Sequence, residues 1–213
     1  MRIAPYGRGE APQYTAILLP SAAVFAWAFP WTGLLPLAGW FFVLNFFRDP
    51  ERTAPSDPSL LVSAADGKVC EVSEVDSAPF VEGRAVKVGI FLNVFNVHVN
   101  RVPVGGRVAH LEHRDGKYLN ALDPVSAVEN ERQDLGLEVP GGGRVLVRQI
   151  AGAIARRIVC QAQVGQDLVR GERYGMIKFG SRTEIYLPAS RFNARVKVGD
   201  TVKGGETVIG AWA

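Results

Sequence analysis

The chain has 213 residues, 47% of them hydrophobic, with two cysteines and a formal charge of +3. That length suits one compact domain plus an accessory segment. The mild charge, without clustered Lys/Arg and interleaved aromatics, argues against nucleic-acid binding. The distant pair Cys70 and Cys160 makes neither a disulfide framework nor a metal site and reads as buried free thiols in a reducing compartment.

No Asp, Glu, Lys or Arg occurs from Ala11 to Phe47. The stretch is longer than the apolar core of a signal peptide and long enough for one generous bilayer span, or for two short arms broken near Pro30. Pro20, Pro30 and Pro36 interrupt it, and Trp27, Trp31 and Trp40 suit the headgroup level. These features predict a hairpin or re-entrant segment over residues 1–47 with both ends on one face. Arg2 and Arg8 precede it and Arg48 and Arg52 follow it, which places both flanks at the cytoplasmic face of the cell (inner) membrane. Residues 48–59, "RDPERTAPSDPS", read as a polar linker.

Residues 60–213 read as a β-rich domain. "SLLVSAADGKVCEV" sets an Asp-Gly turn between two strand-like pieces. The segment from Ala85 to His113 is rich in Val and Ile, and "NALDPVSAVENERQ", Asn120 to Gln133, is a predicted helix. Gly143–Gly180 reads as strands mixed with one short helix, and "RVKVGDTVKGGETVIGAWA" predicts two terminal strands. The class is mainly β (β-rich α+β), a compact β-sandwich or hammerhead-like domain behind an apolar N-terminal membrane segment.

Among the motifs, His98 in "FNVHVNRVP" reads by itself as a structural strand histidine. "HLEH", His110 to His113, lacks the i, i+4 spacing of a helical zinc site, so no metal is expected. "PGGGR", Pro140 to Arg144, reads as a flexible turn. In "YGMIKFGSRTEIYLP", Tyr174 to Pro188, Gly180 and Ser181 interrupt two runs of strand formers. A serine hydroxyl beside an unobstructed glycyl carbonyl can shift the acyl group from nitrogen to oxygen. β-Elimination then splits the chain and leaves a dehydroalanine, which hydrolyses to a pyruvoyl group and ammonia. Such a step needs a base and an oxyanion donor.

Several blocks in order resemble the phosphatidylserine decarboxylases of the short-form branch: "FFRDPER", "SAADGKV", "FLNVFNVHVNRVP", "GKYLNA", "ENER", "QIAGAIARRIV", "KFGSRTEIYLP" and "VKVGDTVKGGETVIG". The resemblance runs from about Phe46 to the end. It implies a self-processing carboxy-lyase that converts phosphatidylserine to phosphatidylethanolamine and CO2 through a Schiff base. Ser181 matches the residue that becomes the covalent pyruvoyl cofactor, Gly180 the other side of the cut, and His98 and Asp66 the histidine and aspartate of self-cleavage. His98 is also the expected proton donor to the decarboxylated intermediate. Neither metal nor pyridoxal phosphate is implied. The partners implied are phosphatidylserine, the membrane lipid surface and a heterodimer of fragments 1–180 and 181–213, with room for higher homo-oligomers. Some longer relatives carry a second histidine where this chain has Arg101, and a "GST" form in place of "FGSR". A biotinyl or lipoyl carrier is the rival reading of the tail, but no Met-Lys-Met tip exists. A membrane-anchored β-rich binding protein without catalysis would leave Asp66, His98 and Ser181 without a joint purpose.

Overall fold

The computed structural model describes residues 2–141, 143–153, 157–178 and 181–213. The chain divides into two compact units, residues 1–51 and 52–213, and the divide falls inside the polar stretch 48–59.

The first unit is a helical hairpin. Helix α1 spans Glu10–Ala28 and α2 spans Leu34–Phe46. Phe29, which precedes Pro30, is extended (φ −147°, ψ 113°), as sterics before proline require, and a 3-10 turn over Pro30–Gly33 reverses the chain. A Cβ on Gly33 would lie 2.7 Å from the Ala22 carbonyl oxygen, so glycine is what lets the turn close on α1. Trp40 Nε1 donates to Thr15 Oγ1 at 3.2 Å and ties α2 to α1. The two ends meet: Ile3 bridges Arg48, and the Asp49 N–H donates to the Arg2 carbonyl at 2.9 Å. Large apolar side chains stand outward on both helices and the turn, with Trp27 89% and Trp31 82% exposed. Among the described residues no helix is long and apolar enough to cross a membrane.

The second unit is mainly β. Its strands are β1 (Leu60–Val62), β2 (Gly67–Val75), β3 (Ala85–Leu92), β4 (Val99–Arg101), β5 (Gly106–Arg114), β6 (Arg132–Glu138), β7 (Arg144–Ile150), β8 (Arg157–Cys160), β9 (Asp167–Leu168), β10 (Arg173–Lys178), β11 (Ser181–Pro188), β12 (Phe192–Ala194), β13 (Thr201–Val202) and β14 (Val208–Trp212). Among the described residues they form an eight-stranded sheet, order β13-β2-β3-β11-β7-β6-β5-β9, and two three-stranded sheets, β1-β14-β12 and β4-β10-β8. All these pairings are antiparallel.

Strand alternation gives the large sheet two distinct faces. Val86, Val88 and Ile90 of β3, Ile185 and Leu187 of β11, Val145 and Val147 of β7, and Leu135 and Leu137 of β6 belong to the main core. The opposite face mixes apolar Leu146 and Tyr186 with charged side chains: Lys87, Arg182, Glu184, Arg148 and Asp134. The charged ones are paired rather than solvated. Arg182 contacts both Glu71 and Glu184, the latter at 2.7 Å, and Lys87 reaches Glu71 at 3.0 Å and Glu184 at 3.2 Å. Tyr186 donates its hydroxyl to Glu184 at 2.6 Å, and Arg148 grips Asp134 with two bonds of 2.7 Å.

Three expectations need correction. The predicted helix over Asn120–Gln133 shrinks to one turn, α3, Ser126–Glu129. The side chains of Asn120 and Asp123 accept from the N–H groups two residues on, a local turn that competes with helix, and β6 begins at Arg132. The pieces flanking Asp66-Gly67 form no hairpin with each other: β1 pairs with β14, and β2 with β3 and β13. Cys70 and Cys160 are free but half-buried rather than buried. Burial raises both thiols above their ordinary range.

Candidate active site

The interrupted run around Gly180-Ser181 is a change of sheet. The chain leaves the small sheet at Lys178 of β10 and enters the large one at Ser181 of β11; Phe179 and Gly180 lie outside the described residues. Ser181 heads an interior strand, with its Cα opposite Leu92 of β3, and its neighbour Arg182 stands opposite Ile150 of β7. Ser181 is fully buried, and its Oγ has no hydrogen-bond partner among the described residues. A hydroxyl in that state is destabilising unless something uses it.

His98 precedes β4 and is also buried. Its carbonyl accepts from the Ile177 N–H at 3.3 Å, which continues the β4–β10 register. Nδ1 lies 3.1 Å from the Asn96 carbonyl oxygen. A carbonyl only accepts, so Nδ1 carries the proton in this contact and Nε2 of a neutral ring is the basic nitrogen.

Asp66 sits in the turn before β2, accepting from the Gly204 N–H at 2.8 Å and from Arg52 at 2.9 Å. Two registers fix where this turn lies. Lys68 stands opposite Phe91, which sets Gly67 level with Leu92 and therefore in the cross-strand row of Ser181. The chain fits there only without a side chain: a Cβ on Gly67 would lie 2.2 Å from the Phe91 carbonyl oxygen. In addition, the Val62 N–H donates to the Pro103 carbonyl and the Arg101 N–H to the Ala64 carbonyl, an antiparallel register that leads from Asp66 toward Val99, next to His98. Asp66, His98 and Ser181 thus gather at one end of the large sheet. Arg101 is buried with Nη1 donating to the Gly171 carbonyl at 3.0 Å. A guanidinium supplies no proton acceptor.

The sequence reading missed three further residues. Asn100 donates from Nδ2 to Thr183 Oγ1 at 3.0 Å and accepts from Gln149 Nε2 at 2.8 Å. All three are fully buried. Asn100 shares a side of its strand with His98, and Thr183 shares one with Ser181, so this network links the two site strands. The available signal was polar residues at alternate positions in "NVHVN" and "GSRT", inside apolar runs.

His110, Glu112 and Asp134 have ligand atoms within 4.8 Å of one another. Both Asp134 oxygens accept from Arg148, and His110 stacks on Phe80. A cation already occupies that carboxylate, so the trio carries no metal assignment. A cleft of about 540 Å³ opens near Val104, Arg107, Glu138 and Trp212. It lies where β5 begins and β6 ends, the opposite end of the sheet from Ser181, and is not the site.

Comparison with known proteins gives the family. The family profile for phosphatidylserine decarboxylase matches residues 40–210. A protein of Symbiobacterium thermophilum named phosphatidylserine decarboxylase proenzyme is 50% identical over 193 residues, 90% of this chain and 89% of the relative. Proteins of the same name from Pelobacter propionicus and Rhodopirellula baltica are 47% and 45% identical, covering 92% and 95% of this chain and 83% and 85% of theirs. The chain belongs to the phosphatidylserine decarboxylase family and is a carboxy-lyase.

Proposed function

We propose that the chain is made as a proenzyme, cuts itself between Gly180 and Ser181, and converts phosphatidylserine to phosphatidylethanolamine and CO2. Within a family of proenzymes, the observation that carries the residue assignment is the buried Ser181 hydroxyl, without a partner among the described residues, at the head of an interior strand. A pyruvoyl group made from Ser181 fits there, because a keto oxygen removes the donor that lacks an acceptor. When present, that group supplies an electron sink for the pair released as CO2 leaves. The chain's own residues do the rest. His98 Nε2 takes the Ser181 Oγ proton during maturation and later holds the proton delivered to the substrate carbon. Asp66 favours the charged imidazole through its negative field. β3 and β7 flank β11 and fix the backbone of Arg182, the residue bonded to the new chain end.

After cleavage the fragments stay together as a heterodimer. Support comes from the interleaving of strands: β11 lies between β3 and β7, and β14 between β1 and β12. Tail strands β13 and β14 pair back onto β2 and β1, which supports the hammerhead-like reading of a compact sandwich. The hairpin holds the enzyme at the cytoplasmic face of the cell membrane. α2, with 13 residues, reaches only about 20 Å against a hydrocarbon core of about 30 Å. That length, the meeting ends and the outward tryptophans support entry into one leaflet.

The test is decarboxylation of phosphatidylserine by the purified full chain beside Ser181→Ala. Wild type should release phosphatidylethanolamine, and the variant should stay uncut and inactive. An active Ser181→Ala protein would overturn the assignment.

A further inference from the structure

Six strand ends meet where Ser181 lies: β2 begins there at Gly67, β3 ends at Leu92, β11 begins at Ser181, β7 ends at Ile150, β6 begins at Arg132 and β5 ends at Arg114. The loops that leave this end are therefore the rim of the site. Two of them carry apolar side chains into solvent: Phe95 (67% exposed) between β3 and β4, and Leu122, Val125 and Val128 (71% exposed) between β5 and β6.

The second loop is a built structure. Asn130 clips its base, bonding both the N–H and the carbonyl of Leu119 at 2.9 Å and donating to the Ala151 carbonyl at 2.8 Å. Ala151 continues the β7 register to stand level with Ser181. Turns at Asn120 and Asp123 shape the tip. Ala121, Ser126 and Ala127 face inward and are buried, while Leu122, Val125 and Val128 face out. A loop ordered from within, yet apolar without, marks a contact surface.

We propose that Leu122, Val125 and Val128, with Phe95 on the other exposed loop of the same rim, form a lip that enters the headgroup–acyl boundary of a lipid bilayer and delivers the phospholipid headgroup to the Ser181 end of the sheet. The occupant is a lipid surface rather than a second copy of the chain, because the lip is continuous with a site whose substrate is itself a bilayer lipid; this rests on the proposed activity. The lip is separate in sequence from the hairpin of residues 1–47, and its role is presentation of substrate rather than anchorage.

The test uses the mature full-length protein and Val125→Asp/Val128→Asp, with activity expressed per cleaved chain. Two substrates are compared: phosphatidylserine diluted in phosphatidylcholine vesicles, and monomeric dihexanoyl phosphatidylserine. The lip predicts a fall of roughly tenfold or more on vesicles, as forfeited burial of one large aliphatic side chain implies, with the monomer rate unchanged. Equal falls on both substrates, or no fall on either, overturn it. Lipid contact is read separately with a fluorophore on Val128→Cys and brominated acyl chains. Burial holds the Cys70 and Cys160 thiols up and slows their labelling. Quenching by the bromolipid supports the lip whatever the enzyme's activity, whereas fluorescence unchanged by vesicles, or a dimer that dissociates in the aspartate variant, overturns it. A wild type that quenches but decarboxylates neither substrate would defeat the activity reading and leave lipid contact standing.

Discussion

Glu184→Gln tests the charged face behind Ser181. Glu184 is fully buried and serves Arg182 at 2.7 Å, Lys87 at 3.2 Å and the Tyr186 hydroxyl at 2.6 Å. Neutralising it leaves two cations sharing Glu71. Removing one member of a buried ion pair costs about 3–5 kcal/mol. The Lys87 and Glu71 side chains keep 14% and 31% exposure, and that screening points to the lower end, about 3 kcal/mol. For a unit of this size 1 kcal/mol moves Tm by about 2–4 °C, so the expected fall is about 6–12 °C. The measurement belongs in the uncut Ser181→Ala chain, followed by circular dichroism, so that unfolding does not release residues 181–213. Lys87→Met should then recover part of the loss in the Glu184→Gln background, since it removes the surplus cation. A Tm within about 1 °C of the parent, or strictly additive losses in the double variant, would refute the reasoning.

Glu71 gives the same lattice a pH signature. Burial opposes its charge, but hydrogen bonds from Lys87 and Ser73 and the charges of Lys87 and Arg182 outweigh that and hold its carboxyl below the ordinary 4.5. A depressed carboxyl contributes stability above its unfolded value and loses it as pH falls, so urea midpoints should decline below about pH 4.5 and decline less in Glu71→Gln. His98→Ala and Asp66→Ala should each slow self-cleavage, by roughly 10²–10⁴-fold for the base, as read by gel densitometry over time; cleavage at the wild-type rate removes His98 from maturation. A chain starting at Arg48 should leave the membrane pellet for the soluble fraction, and full retention there would place the anchor outside the hairpin.

The β-rich class was legible because Val and Ile runs between Gly, Asp and Pro turns have few other solutions. Gly180-Ser181 was visible as a break in one such run, and the chain does change sheets between Lys178 and Ser181. The Asn100–Thr183 and Gln149–Asn100 bonds join residues 83 and 49 positions apart, which no local pattern encodes. Arg182 and Glu184 alternate with Ser181, Thr183 and Ile185 as exposed strand residues would, yet both are buried, because partners on β2 and β3 neutralise them. The long helix over Asn120–Gln133 failed where side-chain turns at Asn120 and Asp123 overrode propensity.

The most direct measurement is the intact mass of the purified, active protein under denaturing conditions. The account predicts two chains, residues 1–180 and a fragment beginning at position 181 whose amino terminus is blocked and whose mass carries a pyruvoyl group in place of serine. A fully active protein that runs as one polypeptide with the mass of all 213 residues would contradict it.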